Sequence, residues 1–399
     1  MNVLVINCGS SSIKYQLLDM GSSPKLLAKG LVEKIGLPSG IFTHKPEGKE
    51  KYSVERSITD HGTGISLILK YLTDEKYGVI RSLSEIKAVG HRVAHGGEYF
   101  SSSVIVNEEV KEKIRACCEL APLHNPANLK GIETMESLMP ETPQIATFDT
   151  SFHQTIPARA FIYGIPYKYY TDYKIRRYGF HGTSHRFVAE KACNLLGCKI
   201  EDKKIITCHL GNGASITAID RGKSVDTSMG FTPVSGLLMG TRAGDLDLGA
   251  LLYIAEKEGL DLRGVNNLIN NQSGVLGISG VSSDLRDIRV AIEKGNKQAA
   301  LSMEVYAYTI KKFIGSYAAA LNGLDMLIFT GGIGENDWEI RESVCRDMEF
   351  FGISFDAKTN RGIRGKDIVL SRPDSRTTVV TVTTDEEMVI ATDTMNLVK

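Results

Sequence analysis

One pattern occurs twice in this chain, roughly two hundred residues apart, and it limits the available folds more than any other feature. Val3 to Ile6 is a short apolar run, Cys8 to Ser12 a run of small residues, and Ile13 to Asp19 an alternating run that ends on an aspartate. Ile205 to Leu210, Gly211-Asn212-Gly213 and Ala214 to Asp220 repeat that order. Apolar runs on either side of a tight, small-residue turn read as hairpins. One return at so long an interval is not a solenoid period. It predicts two related domains, each opening with a hairpin, and 399 residues is more than a single core usually serves.

Apolar spacing predicts helices over Glu108 to Leu120, Phe187 to Leu196 and Leu301 to Leu321, the last stopped at Asn322-Gly323. A tail helix over Glu386 to Val398 is expected, with Thr384 and Glu387 forming a capping box. Strands alternating with helices, without a long polar linker, point to an α/β architecture.

Lys+Arg and Asp+Glu both total 47, and no basic block interrupts this balance. That argues against a nucleic-acid partner or a polybasic membrane contact, so any anion must be held by local arrangements. No run approaches the roughly 20 apolar residues that cross a bilayer. The segment Met1 to Asn7 lacks the marks of a signal peptide, and the seven scattered cysteines include no CxxC pair. Reduced thiols in a cytoplasmic setting are expected.

Three glycine- or serine-rich turns, each following an apolar strand, carry the first chemical signal. Asn7-Cys8-Gly9-Ser10-Ser11-Ser12-Ile13-Lys14 offers backbone N–H groups, hydroxyls and the Lys14 charge to a phosphate, although an ordinary serine-rich turn would look the same. His209-Leu210-Gly211-Asn212-Gly213 has the same logic. Gly331-Gly332-Ile333-Gly334-Glu335-Asn336 follows the strand Met326 to Phe329 and is expected to open a helix capped by Asn336. No Walker A loop is present.

Arg92 (in Gly90-His91-Arg92-Val93-Ala94-His95-Gly96-Gly97) and Arg242 (in Gly240-Thr241-Arg242-Ala243-Gly244-Asp245) sit among small residues, as in loops at strand ends. A guanidinium there can grip a carboxylate or phosphate with two parallel bonds. Asp149 follows the strand Gln144 to Phe148, where an isolated acid orients a metal or an arginine, or is an ordinary turn aspartate. His181 and His185 have the spacing of a zinc pair, but Gly182 and Thr183 weaken a helix and no third ligand is near. A loop histidine donating to phosphate fits better.

The segments NCGSSSIKY, GHRVAHGGE, FDTSFH, YGFHGTSH, HLGNGAS, GLLMGTRAGDLD and GGIGEN, in this order over essentially the whole chain, resemble the acetate kinase family. That resemblance implies a duplicated two-domain, actin-like (ribonuclease H-like) α/β kinase fold with the active site in the interdomain cleft. Residues 1–150, completed by the helix 386–399, would form the first domain, and 151–385 the nucleotide-binding and dimerisation domain. It implies a phosphotransferase with a carboxyl acceptor, using ATP/ADP and Mg²⁺ (or Mn²⁺), usually as a homodimer. Asn7 and Glu386 would hold the metal. Ser10, Ser12, Lys14, His209 to Gly213, Asp284, Leu285, Arg286, and Gly332, Ile333, Gly334, Glu335 and Asn336 would contact the nucleotide. Arg92 would bind the carboxylate, beside an acyl pocket of Ala94, Leu123, Phe180 and Pro233. Asp149, His181 and Arg242 would be catalytic.

Two positions depart from the family pattern. Cys8 stands where alanine is frequent, and Ala94 where valine is common, which would enlarge the acyl pocket. Propionate kinase is therefore the nearest alternative. An actin- or chaperone-like ATP switch would need polymer contacts or a peptide-binding domain, and no segment is left over for the latter. Because a carboxylate substrate is already ionised near neutral pH, Asp149 is expected to orient an arginine or a metal-bound water.

Overall fold

A computed structural model describes all residues, 1–399. The chain forms two compact units, Met1–Gln154 with Asp385–Lys399, and Thr155–Thr384. The first break, between Gln154 and Thr155, falls inside the turn Ser151–Thr155.

The first unit is built on strands β1 (Asn2–Cys8), β2 (Ser12–Asp19), β3 (Lys25–Glu33), β4 (Gly40–Pro46), β5 (Tyr52–Arg56), β6 (Ile86–Val93), β7 (Val104–Ile105) and β8 (Gln144–Phe148). Their order is β5-β4-β3-β2-β1-β6-β8-β7. β1 and β2 form the expected hairpin, with Cys8 opposite Ile13, while β6 runs parallel to β1 and β8 parallel to β6. The middle of β1, Val3 to Ile6, is wholly apolar and buried because both its faces are covered. Leu4 and Ile6 point to a core shared with Ile65, Ile68 and Met135 of the helices His61–Leu72 and Asn125–Leu138. Val3 and Val5 point the other way, onto Ile390 and Ala391 of the C-terminal helix Glu386–Val398. Gly90 on β6 admits this helix: a Cβ there would stand 2.6 Å from an Ile390 methyl carbon.

The second unit contains β9 (Lys204–Leu210), β10 (Ala214–Asp220), β11 (Lys223–Thr227), β12 (Met326–Thr330), β13 (Ile368–Val369) and β14 (Thr378–Thr381), ordered β11-β10-β9-β12-β14-β13. Its hairpin places Leu210 opposite Ala214. The run β11-β10-β9-β12-β14 repeats β3-β2-β1-β6-β8: three antiparallel strands, then two parallel ones. The fold is thus a duplicated, ribonuclease H-like α/β arrangement. Helix Lys297–Ala320 packs Ile310 and Ile314 into a core with Ile206, Cys208 and Ile216.

Several helix ends differ from those read in the sequence. The long helix begins at Lys297, because the Asn296 side chain accepts from the Ala299 amide. Helix Glu108–Ala116 stops short of Leu120. Helix Gly182–Leu195 starts five residues before Phe187, and Gly182 and Thr183 form its buried first turn despite their low propensity. Tertiary packing overrides propensity here. The tail helix is capped by Asp385, whose side chain accepts from the Met388 amide at 3.0 Å. Thr384 is engaged elsewhere, its amide donating to Glu335 and its hydroxyl bonded to Ser184.

Candidate active site

In the first unit, polar residues gather where β1, β6 and β8 end. Asn7 is the penultimate residue of β1 and Arg92 that of β6, while Asp149 directly follows β8 and its amide donates to the Val93 carbonyl. The hairpin turn closes with the Gly9 amide donating to the Ser12 carbonyl at 2.8 Å. The Gly9 carbonyl is held by His61 Nε2 at 2.7 Å, a partner that the sequence reading missed.

Arg92 is the hub. Its Nε donates to Asp149 Oδ1 at 3.1 Å, its Nη2 bonds Asp149 Oδ2, its Nε lies 2.6 Å from Glu386 Oε1, and its Nη1 is 3.5 Å from Asn7 Oδ1. Burial pushes the Asp149 pKa up to about 6 against the pull of Arg92, with Glu386 adding to the rise. Burial also works against the Arg92 charge, but Asp149 and Glu386 outweigh it and hold the guanidinium pKa above its ordinary value. Lys14, on β2, pairs with Glu387. Asn7 Oδ1 and the Glu386 carboxylate are hard oxygen donors of the kind Mg²⁺ or Mn²⁺ takes, and both already converge on a positive charge. The residues fit a divalent cation.

Behind this edge, Asn128 of helix Asn125–Leu138 accepts from the Ala94 amide at 3.0 Å and donates to the Cys8 carbonyl at 2.6 Å. Asn125 accepts from the His95 amide. These two asparagines tie the loop after β6 to the hairpin, and no sequence motif announced them. Cys8 faces the same helix: a Cβ on Gly131 would meet its sulfur, and burial raises the thiol pKa to about 12. Of the expected acyl pocket in this unit, Ala94 is buried, whereas Leu123 is 72% exposed.

In the second unit the corresponding edge is basic. His209 is the penultimate residue of β9, and the turn after it closes with Gly211 N donating to Gly213 O. His181 precedes helix Gly182–Leu195 in a left-handed conformation (φ 58°), uncommon for a residue with a side chain. Its ring stacks on His209 with centroids 4.3 Å apart. A Cβ on Gly213 would stand 3.4 Å from Arg242 Nη1 and 3.8 Å from His181 Nε2, so the guanidinium and the imidazole both border the turn. The Arg242 loop is fixed by Gly240 N donating to Asn212 O at 3.0 Å, and burial lowers the Arg242 pKa. Phe180 is buried and Pro233 half-buried.

The third glycine turn lies against the second: a Cβ on Gly331 would stand 2.7 Å from the Leu210 carbonyl oxygen. A short helix, Gly331–Asn336, follows, and the next helix, Trp338–Cys345, is capped by Asp337 rather than Asn336. Asn336 instead donates to the Gly332 carbonyl, and Glu335 folds back to accept from the Gly331 and Thr384 amides. A cavity of about 750 Å³ opens here, bringing together Gly211, Asn212, Asp284 to Arg286, Gly332, Ile333 and Asn336. Leu210, Gly213, His209, Gly334 and Glu335 do not line it, and Leu210 is in the core. Trp338 and Arg364 line it too and were missed. Trp338 is the one tryptophan of the chain, the signal that could have drawn notice.

Two copies of one sheet topology, each ending in a small-residue turn beside charged groups, define a protein of the duplicated, actin-like kinase class. The chain belongs to the acetokinase family, whose profile matches residues 2–392. It is 56% identical over 397 residues to the acetate kinase of Parabacteroides distasonis, covering 100% of this chain and 99% of that one. It is 54% identical over 400 residues to the acetate kinase of Caldanaerobacter subterraneus subsp. tengcongensis, with coverage of 100% and 99%. The crystal structure of Porphyromonas gingivalis acetate kinase superposes with a TM-score of 0.97 at 53% identity, covering both chains fully. A propionate kinase from Francisella tularensis superposes at 0.90 with 40% identity and 99% coverage of each chain.

Proposed function

We infer that this chain transfers the γ-phosphoryl group of ATP to acetate, giving acetyl phosphate and ADP, and that it runs the reverse reaction. The observation that carries this reading is the Arg92 hub: a guanidinium oriented by a buried carboxylate, beside a hairpin turn, in a chain of this family.

Acetate is ionised at neutral pH, so nothing needs deprotonation. A carboxylate oxygen bonds to phosphorus as the bond from phosphorus to the leaving ADP oxygen breaks, in line, and no proton moves. Arg92 receives the carboxylate, and Asp149 fixes the plane of its fork through both oxygens. Arg242 and His181 donate to the equatorial oxygens over which the transferring group spreads its charge. The turn Gly211–Gly213, with His209 beside it, receives the phosphates, and the cavity at Asp284 to Arg286 and Gly332 to Asn336 receives the nucleoside. Ser10, Ser12 and Lys14 serve the phosphate end in the first unit. Asn7 and Glu386 would hold Mg²⁺, which when bound offsets phosphate charge. Ala94, Leu123, Phe180 and Pro233 limit the acyl chain.

Helices Leu248–Glu258 and Leu262–Asn267 contain no buried residue, and Leu248, Leu252 and Leu262 are 73%, 71% and 89% exposed. Apolar surface on this scale supports a homodimer formed through the second unit. The seven cysteines are free, which supports a cytoplasmic setting, and no helix is long and apolar enough to cross a membrane.

The small side chain at position 94 favours propionate as a second substrate. Trapping acyl phosphate as the hydroxamate with acetate, propionate and butyrate tests both readings. Acetate should lead, propionate should follow, and butyrate should be poor. Absence of acyl phosphate from all three acids would overturn the assignment.

A further inference from the structure

The histidines of the second unit are joined through hydroxyl groups, and the order of the joints carries information. His185 is completely buried on helix Gly182–Leu195, one turn beyond His181. Its Nδ1 lies 2.6 Å from Thr207 Oγ1, and its Nε2 lies 2.7 Å from Ser215 Oγ. The same Ser215 oxygen is 2.9 Å from His181 Nδ1. Thr207 on β9 and Ser215 on β10 are themselves fully buried. The two nitrogens of His181 therefore have separate duties. Nδ1 is tied to Ser215 in the interior, while Nε2 lies on the side of Gly213, which Arg242 also borders.

A serine hydroxyl has one proton to donate. Set between two imidazole nitrogens, it must donate to one and accept from the other. In one arrangement His185 Nε2–H donates to Ser215, and Ser215 donates to His181 Nδ1, so a neutral His181 carries its proton on Nε2. In the other, Ser215 donates to His185 and accepts from His181 Nδ1–H. His181 then has an Nε2 donor only as the imidazolium. The titratable and charged groups near the ring include His185 and the stacked His209, and Arg242 borders the same Gly213 turn, so an imidazolium would add a positive charge where a guanidinium already lies. The first arrangement supplies a donor at the turn without adding that charge.

We propose that Thr207, His185 and Ser215 form a buried relay that holds His181 as the neutral tautomer with its N–H on Nε2, aimed at the transferring phosphoryl group. Ser215 is then a positioning residue, acting through His181. The left-handed backbone at His181 fits this role, because strain of that kind persists where the surroundings over-determine a side chain. This inference rests on the phosphoryl-transfer reading given above and deepens it.

The test compares wild type, Ser215→Ala and Ser215→Thr by kcat and both KM values between pH 5.5 and 9, with thermal midpoints recorded. Ser215→Ala should lower kcat by about tenfold to a hundredfold while both KM values stay within about twofold. Its residual rate should be lower on the alkaline side, because the neutral ring then divides between two tautomers whereas the imidazolium always carries a proton on Nε2. Ser215→Thr keeps the oxygen and should recover kcat to within about threefold. A wild-type kcat and pH profile in Ser215→Ala would overturn the relay, as would equal losses in both variants. A second measurement does not depend on activity: imidazole ¹⁵N NMR of the histidine-labelled wild-type protein, with the His181 signal assigned by its absence in folded His181→Asn. The expected signal has an unprotonated Nδ1 and a protonated Nε2 on His181, and the reverse tautomer or an imidazolium at pH 7.5 would overturn the proposal. A wild-type protein that makes no acyl phosphate but shows the expected tautomer would defeat the kinase reading and leave the relay standing.

Discussion

Asn7 and Lys14 face each other across the first hairpin, and His209 and Ser215 face each other across the second, one pair in from the turn in each case. Each hairpin is flanked by a parallel strand, and in each unit a helix lies against the hairpin's first strand: Glu386–Val398 on β1 and Gly182–Leu195 on β9. The scaffold is the same and the chemistry is not. The first edge gathers Asp149, Glu386 and Glu387 around Arg92 and Lys14, so carboxylates outnumber cations. The second gathers a guanidinium and three imidazoles, and the imidazoles are hydrogen-bonded to serine and threonine hydroxyls. An edge rich in carboxylates suits a metal ion and a fixed arginine, and an edge rich in N–H donors suits a phosphoryl group whose charge is spreading. The two hairpins share their positions, and different residues at equivalent positions give the two edges different chemistry.

That division breaks most visibly at Arg92. Arg92→Ala should raise the acetate KM and lower kcat, with kcat/KM down at least about a thousandfold, since one group serves both ground and transition states. Unchanged acetate kinetics in a folded variant would remove the first edge from the reaction. His181→Ala probes the other side. Its kcat should fall by about a hundredfold with both KM values nearly unchanged. A rise in the ATP KM alone would move His181 into the nucleotide site and blur the contrast.

The third prediction concerns stability within the first unit, where two buried groups oppose each other. The raised pKa of Asp149 means that the folded state holds its proton more tightly than the unfolded chain does. The stability it contributes is complete below about 4 and is lost as pH rises through about 6. His91, buried against Gln144, has its pKa lowered to about 4 by burial, so its contribution is present above about 6.5 and is lost as pH falls. Between these limits the two slopes offset one another. Asp149→Asn should therefore steepen the loss of stability on acidification, and His91→Gln should flatten or reverse it. Urea midpoints from pH 4.5 to 7 measure both, and parallel curves for the two variants would contradict the assigned signs.

The smallest effect is expected at Ala94. Adding two methyl groups should depress propionate kcat/KM about fourfold more than acetate kcat/KM, since one buried CH₂ is worth about 0.8 kcal/mol. Equal losses for both acids in Ala94→Val would mean that position 94 does not meet the acyl chain.

Much of this is legible in the sequence. Both hairpins, the three small-residue turns and the glycine-flanked loop of Arg242 follow from local chain chemistry, because a turn is set by residues adjacent in sequence. Helix starts were less legible. Thr384 and Asn336 are good caps by type, but Asp385 and Asp337, each one residue further on, take the role. Thr384 and Asn336 are drawn into other hydrogen bonds, and residue type alone does not say which neighbour will be free to cap. Gly182 and Thr183 were misread as helix breakers because the burial that holds them in a helix comes from strands more than twenty residues away.

The sequence by itself determined the duplicated α/β scaffold and the residues clustered at each turn, since those depend on periodicity and on neighbours along the chain. Only the tertiary structure decided that Asp149 and Glu386 share one guanidinium, that Asn128 ties Ala94 to Cys8, and that Ser215 joins His181 to His185. Those pairs are separated by tens to hundreds of residues in the chain, and a hydrogen bond forms only where packing brings donor and acceptor within about 3 Å.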